Sequence, residues 1–198
     1  MVELPSEARC VVIGGGIIGC SAAYHLAKLG WKDVVLLEQN QLAGGTTWHA
    51  AGLIGQLRGS STLTKLAKYS AALLPELEAE TGLATGFRQN GSLSLALSGE
   101  RLEELKRQAT MGKVWGVEAT MVSPAEARAK HPLIDLEGVT GGLFIPANGQ
   151  ADPANVCQAL AKAARQRGVR IFENTRVTGI RQAGGRVTGR GARQISPD

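Results

Sequence analysis

The chain has 198 residues, 43% of them hydrophobic and 26 of them glycine, with a formal net charge of +5 from 22 Lys+Arg against 17 Asp+Glu. A chain of this length buries roughly 70% of its unfolded surface, which excludes the disordered and disulfide-scaffold classes, and Cys10, Cys20 and Cys157 lack the spacing of a metal knuckle. The apolar run near the N-terminus is interrupted by Gly14, Gly15, Gly16 and Gly19, so it reads as neither a membrane span nor a signal peptide.

In chain order, residues 9–14 read as a buried strand, with Cys10, Val11, Val12 and Ile13 in an unbroken apolar run that stops at glycine. Residues 17–29 read as a helix with Gly19, Ala22 and Ala23 on one side, ended by Gly30. Residues 33–38 are a second strand, which completes a βαβ unit whose crossover should be right-handed. The stretch 41–59, rich in Gly and Thr, holds Trp48 and His49, an unusual composition for a mere connector. A helix is predicted over 62–81 from Leu63, Leu66, Tyr69, Leu73 and Leu77, closed by Gly82. Alternation of Leu93, Leu95 and Leu97 predicts a half-buried strand over 91–97, and a charged helix follows over 99–113. Ser123, Pro124 and Glu126 spell a capping box that opens a short helix ending before Pro132. A short strand is expected over 142–145. Asp152 and Pro153 then open a helix to residue 166, followed by a strand over 169–173 and a hairpin of 176–180 with 186–188 around Ala183, Gly184 and Gly185.

The basic excess is local. Nine of the 22 basic residues fall in 161–198 against two acidic ones, in a stretch whose one aromatic is Phe172. Without a stacking platform this reads as a solvated face, not a nucleic-acid site. His25, within the first helix, and His131, before a proline, read as structural residues. Ser60, Ser61 and Thr62 read as a loop and helix cap, since nothing nearby supplies a base. No local cluster of His or Cys suggests a metal.

Gly14-x-Gly16-x-x-Gly19 lies between a predicted strand and a predicted helix, where each glycine has a mechanical reason. Gly14 permits the tight turn, Gly16 lets a pyrophosphate approach the backbone, and Gly19 lets helix pack on strand. The N–H groups of Gly16, Ile17 and Ile18 are then expected to face phosphates at the positive end of the helix dipole. Glu38, nineteen residues beyond Gly19, closes the second strand, where its carboxylate can accept hydrogen bonds from ribose hydroxyls and repel a 2′-phosphate. This pattern alone leaves NAD and FAD both open.

The next segment, Gly44-Gly45-Thr46-Thr47-Trp48-His49-Ala50-Ala51-Gly52-Leu53, resembles the FAD-binding segment of the dimethylglycine dehydrogenase and sarcosine dehydrogenase family, within the D-amino-acid-oxidase-like flavoproteins. The likeness continues through 82–87, 91–97, 142–148, Asp152-Pro153 and 176–180, and so covers nearly all of 9–190. It implies an α/β fold, with a Rossmann-like FAD-binding domain of the glutathione-reductase type and part of a mixed α+β substrate domain. The expected division is 1–82 and 151–198 for the FAD-binding domain and 83–150 for the substrate-domain insertion.

The resemblance also implies FAD contacts at Gly14, Gly16, Ile17, Ile18, Gly19, Glu38 and Gln39, along 45–53 (Gly45, Thr46, Thr47, Trp48, His49, Ala50, Ala51, Gly52, Leu53), and at Val177, whose main chain would read the adenine. His49 occupies the position that the family joins covalently to the flavin 8α-methyl carbon. A neutral imidazole nitrogen is a competent nucleophile near pH 7, and holding it against an activated carbon makes the step intramolecular. Trp48 is expected to wall the flavin pocket.

In the intact family the implied reaction is oxidative N-demethylation of a methylated glycine. Hydride passes to flavin N5, an electron-transfer flavoprotein or oxygen accepts the electrons, and tetrahydrofolate captures the one-carbon unit in full-length relatives. Residues 190–198 depart from the family pattern, so the expectation is a truncated chain with no catalytic residue of its own and no turnover alone. The alternatives are a noncatalytic FAD-binding regulatory subunit or an inactive fragment. With no presequence ahead of the first strand, the expected location is the cytoplasm, or the mitochondrial matrix for a processed form.

Overall fold

A computed structural model describes residues 4–194; the end of the divergent C-terminal stretch, 195–198, lies outside the described residues. In chain order the elements are β1 (Cys10–Ile13), α1 (Ile17–Lys28), β2 (Val34–Leu37), β3 (Leu53–Ile54), α2 (Ser61–Thr81), β4 (Ser92–Ala96), α3 (Gly99–Trp115), β5 (Thr120–Val122), α4 (Pro124–Lys130), β6 (Gly141–Ile145), β7 (Gly149–Gln150), α5 (Pro153–Gln166), β8 (Arg170–Phe172), β9 (Thr175–Ala183) and β10 (Arg186–Gln194). They fall into two compact units, one of Met1–Ala51, Pro75–Gly86 and Asp152–Asp198, the other of Gly52–Leu74 and Phe87–Ala151. Helix α2 passes from the second to the first at Pro75.

The first unit is built on the parallel sheet β1-β2-β8. Cys10 pairs with Val34 and Ile13 with Leu37, and Val35 pairs with Arg170 and Leu37 with Phe172 on the other side. Central β2 reads Val-Val-Leu-Leu and is buried at all four positions, as a parallel strand covered on both faces must be. Helices α1 and α5 pack together. Their small buried residues, Cys20 and Ala23 on one and Cys157, Ala161 and Ala164 on the other, permit a close approach of the two backbones. Asp152 caps α5 by accepting the Asn155 N–H at 2.9 Å. Strands β9 and β10 pair as an antiparallel hairpin across Gly184 and Gly185, longer than the sequence predicts. Val177 packs with Val11 against the cluster of Val35, Leu37 and Phe172.

The second unit holds the antiparallel sheet β4-β6-β5. Its core joins Ala96, Leu105, Ala109, Val117, Ala119, Leu143 and Ile145. The capping box is formed: Ser123 Oγ accepts from the Glu126 N–H and Glu126 accepts from the Ser123 N–H at 2.7 Å. Residues 52–74 group with this unit, not with 1–51 as the expected division had it, because long-range pairing claims them. Leu53 pairs with Gln150 and Ile54 with Gly149, and the Gln56 N–H donates to Asn148 Oδ1 at 2.8 Å. Strand β5, whose three residues carry no periodicity to read, escapes sequence reasoning. Of the five apolar residues that predict α2, Leu73 and Leu77 are buried while Leu63, Leu66 and Tyr69 are exposed.

Candidate dinucleotide-binding turn

The turn from β1 into α1 is determined peptide by peptide. Gly14 continues the β1 ladder by donating its N–H to the Leu37 carbonyl at 2.8 Å, then turns at φ +105°, a conformation that favours glycine. Its carbonyl oxygen lies where a Cβ on Gly19 would be, so a glycine at 19 is what allows α1 to start this close to β1. The Gly15 N–H donates to Glu38 Oε2 at 2.6 Å, and the Gly15 carbonyl accepts from the Ala43 N–H at 3.0 Å. The Gly16 carbonyl accepts the Cys20 N–H at 2.9 Å.

One expectation changes here. Of the three N–H groups expected to face phosphates, that of Ile17 is engaged by Thr47 Oγ1 at 3.0 Å, a remote side chain filling the capping role that Gly16 cannot. The N–H groups of Gly16 and Ile18 have no acceptor among the described residues, and Ile18 is 81% exposed. A Cβ on Gly16 would come within 3.0 Å of Thr47 Oγ1, so the backbone there stays bare. Two unengaged donors on an uncluttered helix N-terminus fit a diphosphate.

Glu38 follows β2 immediately and is fixed from four directions. Its main-chain N–H donates to the Phe172 carbonyl at 2.9 Å and its carbonyl accepts the Thr175 N–H at 2.7 Å, which ties it to β8 and β9. Its carboxylate accepts the Gly15 N–H through Oε2 and the Asn40 N–H through Oε1, the latter at 2.8 Å. Each oxygen keeps a second accepting position for a hydroxyl. The turn, the acid and the start of β9 thus converge on one end of the sheet, and Val177, two residues past Thr175, pairs with Ala192 in the hairpin. Gln39 beside the acid is exposed.

Residues 41–50 form successive turns. Leu42 and Ala43 are buried, Leu42 N–H donating to Glu173 Oε1 at 2.7 Å, and Thr47 is buried at 7% exposure. Gly45, Thr46, Trp48, His49, Ala50 and Ala51 are exposed. Trp48 and His49 stack, ring centroids 3.8 Å apart at 34°. Gly52 and Leu53 begin the second unit, the Gly52 carbonyl accepting the Ala151 N–H at 2.8 Å, and Leu53 is 76% exposed. His25 is occupied structurally, its Nδ1 2.7 Å from the Ser21 carbonyl oxygen.

Sequence reasoning missed Gly15, Asn40 and the cysteines. Gly15 is the glycine that a Cβ would drive into Glu38 and Leu42, at 2.8 and 2.7 Å. The run of three glycines was the available signal, since the fingerprint itself asks for only two of them. Cys20 and Cys157, 137 residues apart, gave no signal; their Sγ atoms lie 3.5 Å from each other as free thiols. Among the described residues no group of three or more His, Cys, Asp or Glu could hold a metal ion, and no helix is long and apolar enough to cross a membrane.

The family described as "DAO: FAD dependent oxidoreductase" matches residues 9–196. Human mitochondrial sarcosine dehydrogenase is 49% identical over 179 residues, 90% of this chain and 20% of that protein. The mouse mitochondrial pyruvate dehydrogenase phosphatase regulatory subunit is 43% identical over 188 residues, 95% of this chain and 21% of that protein. The crystal structure of L-proline dehydrogenase from P. horikoshii superposes with a TM-score of 0.89 at 30% identity, covering 96% of this chain and 50% of that one. The chain spans about a fifth of the length of these curated relatives.

Proposed function

The chain belongs to the family of FAD-dependent oxidoreductases, and from that premise we propose that it is the FAD-binding portion of an enzyme that oxidatively N-demethylates a methylated glycine. The observation that carries the cofactor half of this reading is the pair of unengaged N–H donors at Gly16 and Ile18 beside a carboxylate, Glu38, held by two backbone donors. The substrate half rests on the 49% identity to sarcosine dehydrogenase.

In this reading the Gly16 and Ile18 N–H groups hold the diphosphate, with the α1 dipole adding to their pull. Glu38 accepts the ribose hydroxyls. Gly14, Gly15 and Gly19 keep the turn tight enough for that approach, and Thr47 fixes the first turn of α1 through Ile17. The main chain at Val177 would read the adenine, and Gln39 with residues 45–51 would line the remainder. His49 would be joined through an imidazole nitrogen to the flavin 8α-methyl carbon, a link that replaces one methyl C–H and one imidazole N–H and leaves the flavin reduced by two electrons until its electron acceptor reoxidises it; the exposed His49 ring, stacked on Trp48, is presented for it. When bound, FAD supplies the two-electron acceptor, and the protein supplies binding, orientation and electrostatics. An electron-transfer flavoprotein is the proposed partner. The two curated relatives named above are mitochondrial, which supports the matrix over the cytoplasm.

Denaturing gel electrophoresis under ultraviolet light tests the tether. The chain produced with FAD should give a fluorescent band, and His49→Ala should lose the band while the native protein stays yellow. A dark wild-type band refutes covalent attachment, and a colourless native protein refutes FAD binding. The 43% identity to a phosphatase regulatory subunit favours one second reading, a flavin-fold subunit without turnover. Amine-dependent dye reduction by the full-length protein separates the two.

A further inference from the structure

Two buried thiols lie directly beneath the glycine turn. Cys20, in the first turns of α1, and Cys157, in α5, are both 0% exposed, and both reach the carbonyl oxygen of Gly15, at 3.5 and 3.4 Å. With the Ala43 N–H at 3.0 Å, three donors converge on one carbonyl. Building on the dinucleotide reading above, we infer that Cys20 and Cys157 are positioning residues for the diphosphate, holding the Gly15–Gly16 peptide so that its N–H faces outward.

No peptide of the described chain is cis, and in a planar trans peptide the C=O and the following N–H point in opposite directions. Drawing the Gly15 oxygen inward therefore turns the Gly16 N–H outward, where it has no acceptor among the described residues. The adjoining peptides have fixings of their own: the Gly15 N–H is held by Glu38 and the Ile17 N–H by Thr47. The Gly15–Gly16 unit is flanked by two residues without a Cβ, so its rotation meets little of the steric resistance that side chains would impose. The flipped peptide would present a carbonyl oxygen to a diphosphate and repel it. What selects the productive orientation is the set of donors behind it, two of which are the thiols.

The Cys20 thiol stays a donor at neutral pH. The hydrogen bond with Cys157 and burial push the Cys20 thiol well above its ordinary range, so it remains S–H. Each thiol has one proton: where Cys157 donates across the 3.5 Å to Cys20 Sγ, the Cys20 proton goes to the Gly15 carbonyl, and this partnership draws the Cys157 thiol below its ordinary range.

The test compares ADP and adenosine, which differ by the diphosphate, on the whole chain, with FAD alongside. In Cys20→Ala/Cys157→Ala, FAD and ADP should bind about tenfold more weakly, the equivalent of one lost hydrogen bond, while adenosine affinity is unchanged. Cys20→Ser/Cys157→Ser, which retains O–H donors, should recover most of the loss. Should the alanine pair not fold, Cys157→Ala alone carries the same comparison. ADP affinity unchanged, or ADP and adenosine weakened together, overturns the inference. A wild-type chain that binds neither FAD nor ADP overturns the dinucleotide reading and this inference with it.

Discussion

Glu38 is the residue at which the local geometry gives the most definite consequence. Its carboxylate accepts two backbone N–H groups, Gly15 at 2.6 Å and Asn40 at 2.8 Å. Hydrogen bonds to a charged acceptor contribute roughly 1.5–3 kcal/mol each. The site is half-buried, so water recovers part of that when the carboxylate is removed, and Glu38→Ala should cost about 3 kcal/mol in the ligand-free chain. For a chain of this size about 2–4 °C accompanies each kcal/mol, which places the fall in Tm at about 6–12 °C. Glu38→Gln is informative because it keeps the shape. The amide can accept from one of the two N–H groups but turns its own NH2 toward the other, donor against donor, so it should retain less than half of the stabilisation. Calorimetry of both variants without ligand, followed by FAD titration, reads the two roles separately. If Glu38→Ala melts within about 1 °C of wild type, the carboxylate does not hold the turn. If it melts lower but binds FAD undiminished, the ribose role falls and the structural one stands.

Three further outcomes are expected. Gly19→Ala places a Cβ on the Gly14 carbonyl oxygen; as both are backbone, neither can withdraw cheaply. A stability loss of at least about 1–3 kcal/mol, together with loss of FAD binding, should appear in a thermal melt monitored by circular dichroism. Thr47→Val removes the acceptor for the Ile17 N–H while keeping the branched shape, and should lower the urea midpoint by the equivalent of about 1 kcal/mol; Thr47→Ser should restore it, and equal midpoints for Val and Ser would contradict a capping role. The Ser123 N–H and hydroxyl hold the Glu126 carboxyl below its ordinary value of 4.5. A depressed folded pKa means a contribution present above 4.5 and lost as pH falls below it. Glu126→Gln should therefore flatten the acid limb of the stability curve measured between pH 3 and 6, leaving its shape at neutral pH unchanged; an identical acid limb would show that the capping box does not couple to protons.

The βαβ frame was legible because its signals are local. An apolar run ending in glycine, small residues along one helix and a second apolar run ending at Glu38 need no distant partner to be read, and β1, α1 and β2 formed within one or two residues of the expected limits. Capping residues were equally readable, since Ser123 and Asp152 act on backbone groups three residues away. Elements that exist only by pairing were not. Strand β5 is three residues held by β6, and β3 is two residues held by β7; the second pairing also moved residues 52–74 out of the unit in which their sequence neighbours lie.

At the candidate site the division runs within single peptides. The amino-acid sequence by itself marked Gly14, Gly16 and Gly19 as positions without a side chain and Glu38 as the acid, because the fingerprint and strand length are properties of a few consecutive residues; that Gly15 must also lack one was decided by Glu38 and Leu42, which the fold brings against it. Which N–H groups are left to meet a ligand was settled only when the chain closed on itself. Thr47 took the donor of Ile17, thirty residues away, and Asn40 and Gly15 divided the carboxylate of Glu38. Cys157 came under Gly15 from 142 residues further along. A hydrogen-bond donor is free or engaged according to what lies within about 3 Å of it, and for this turn those neighbours arrive from other elements.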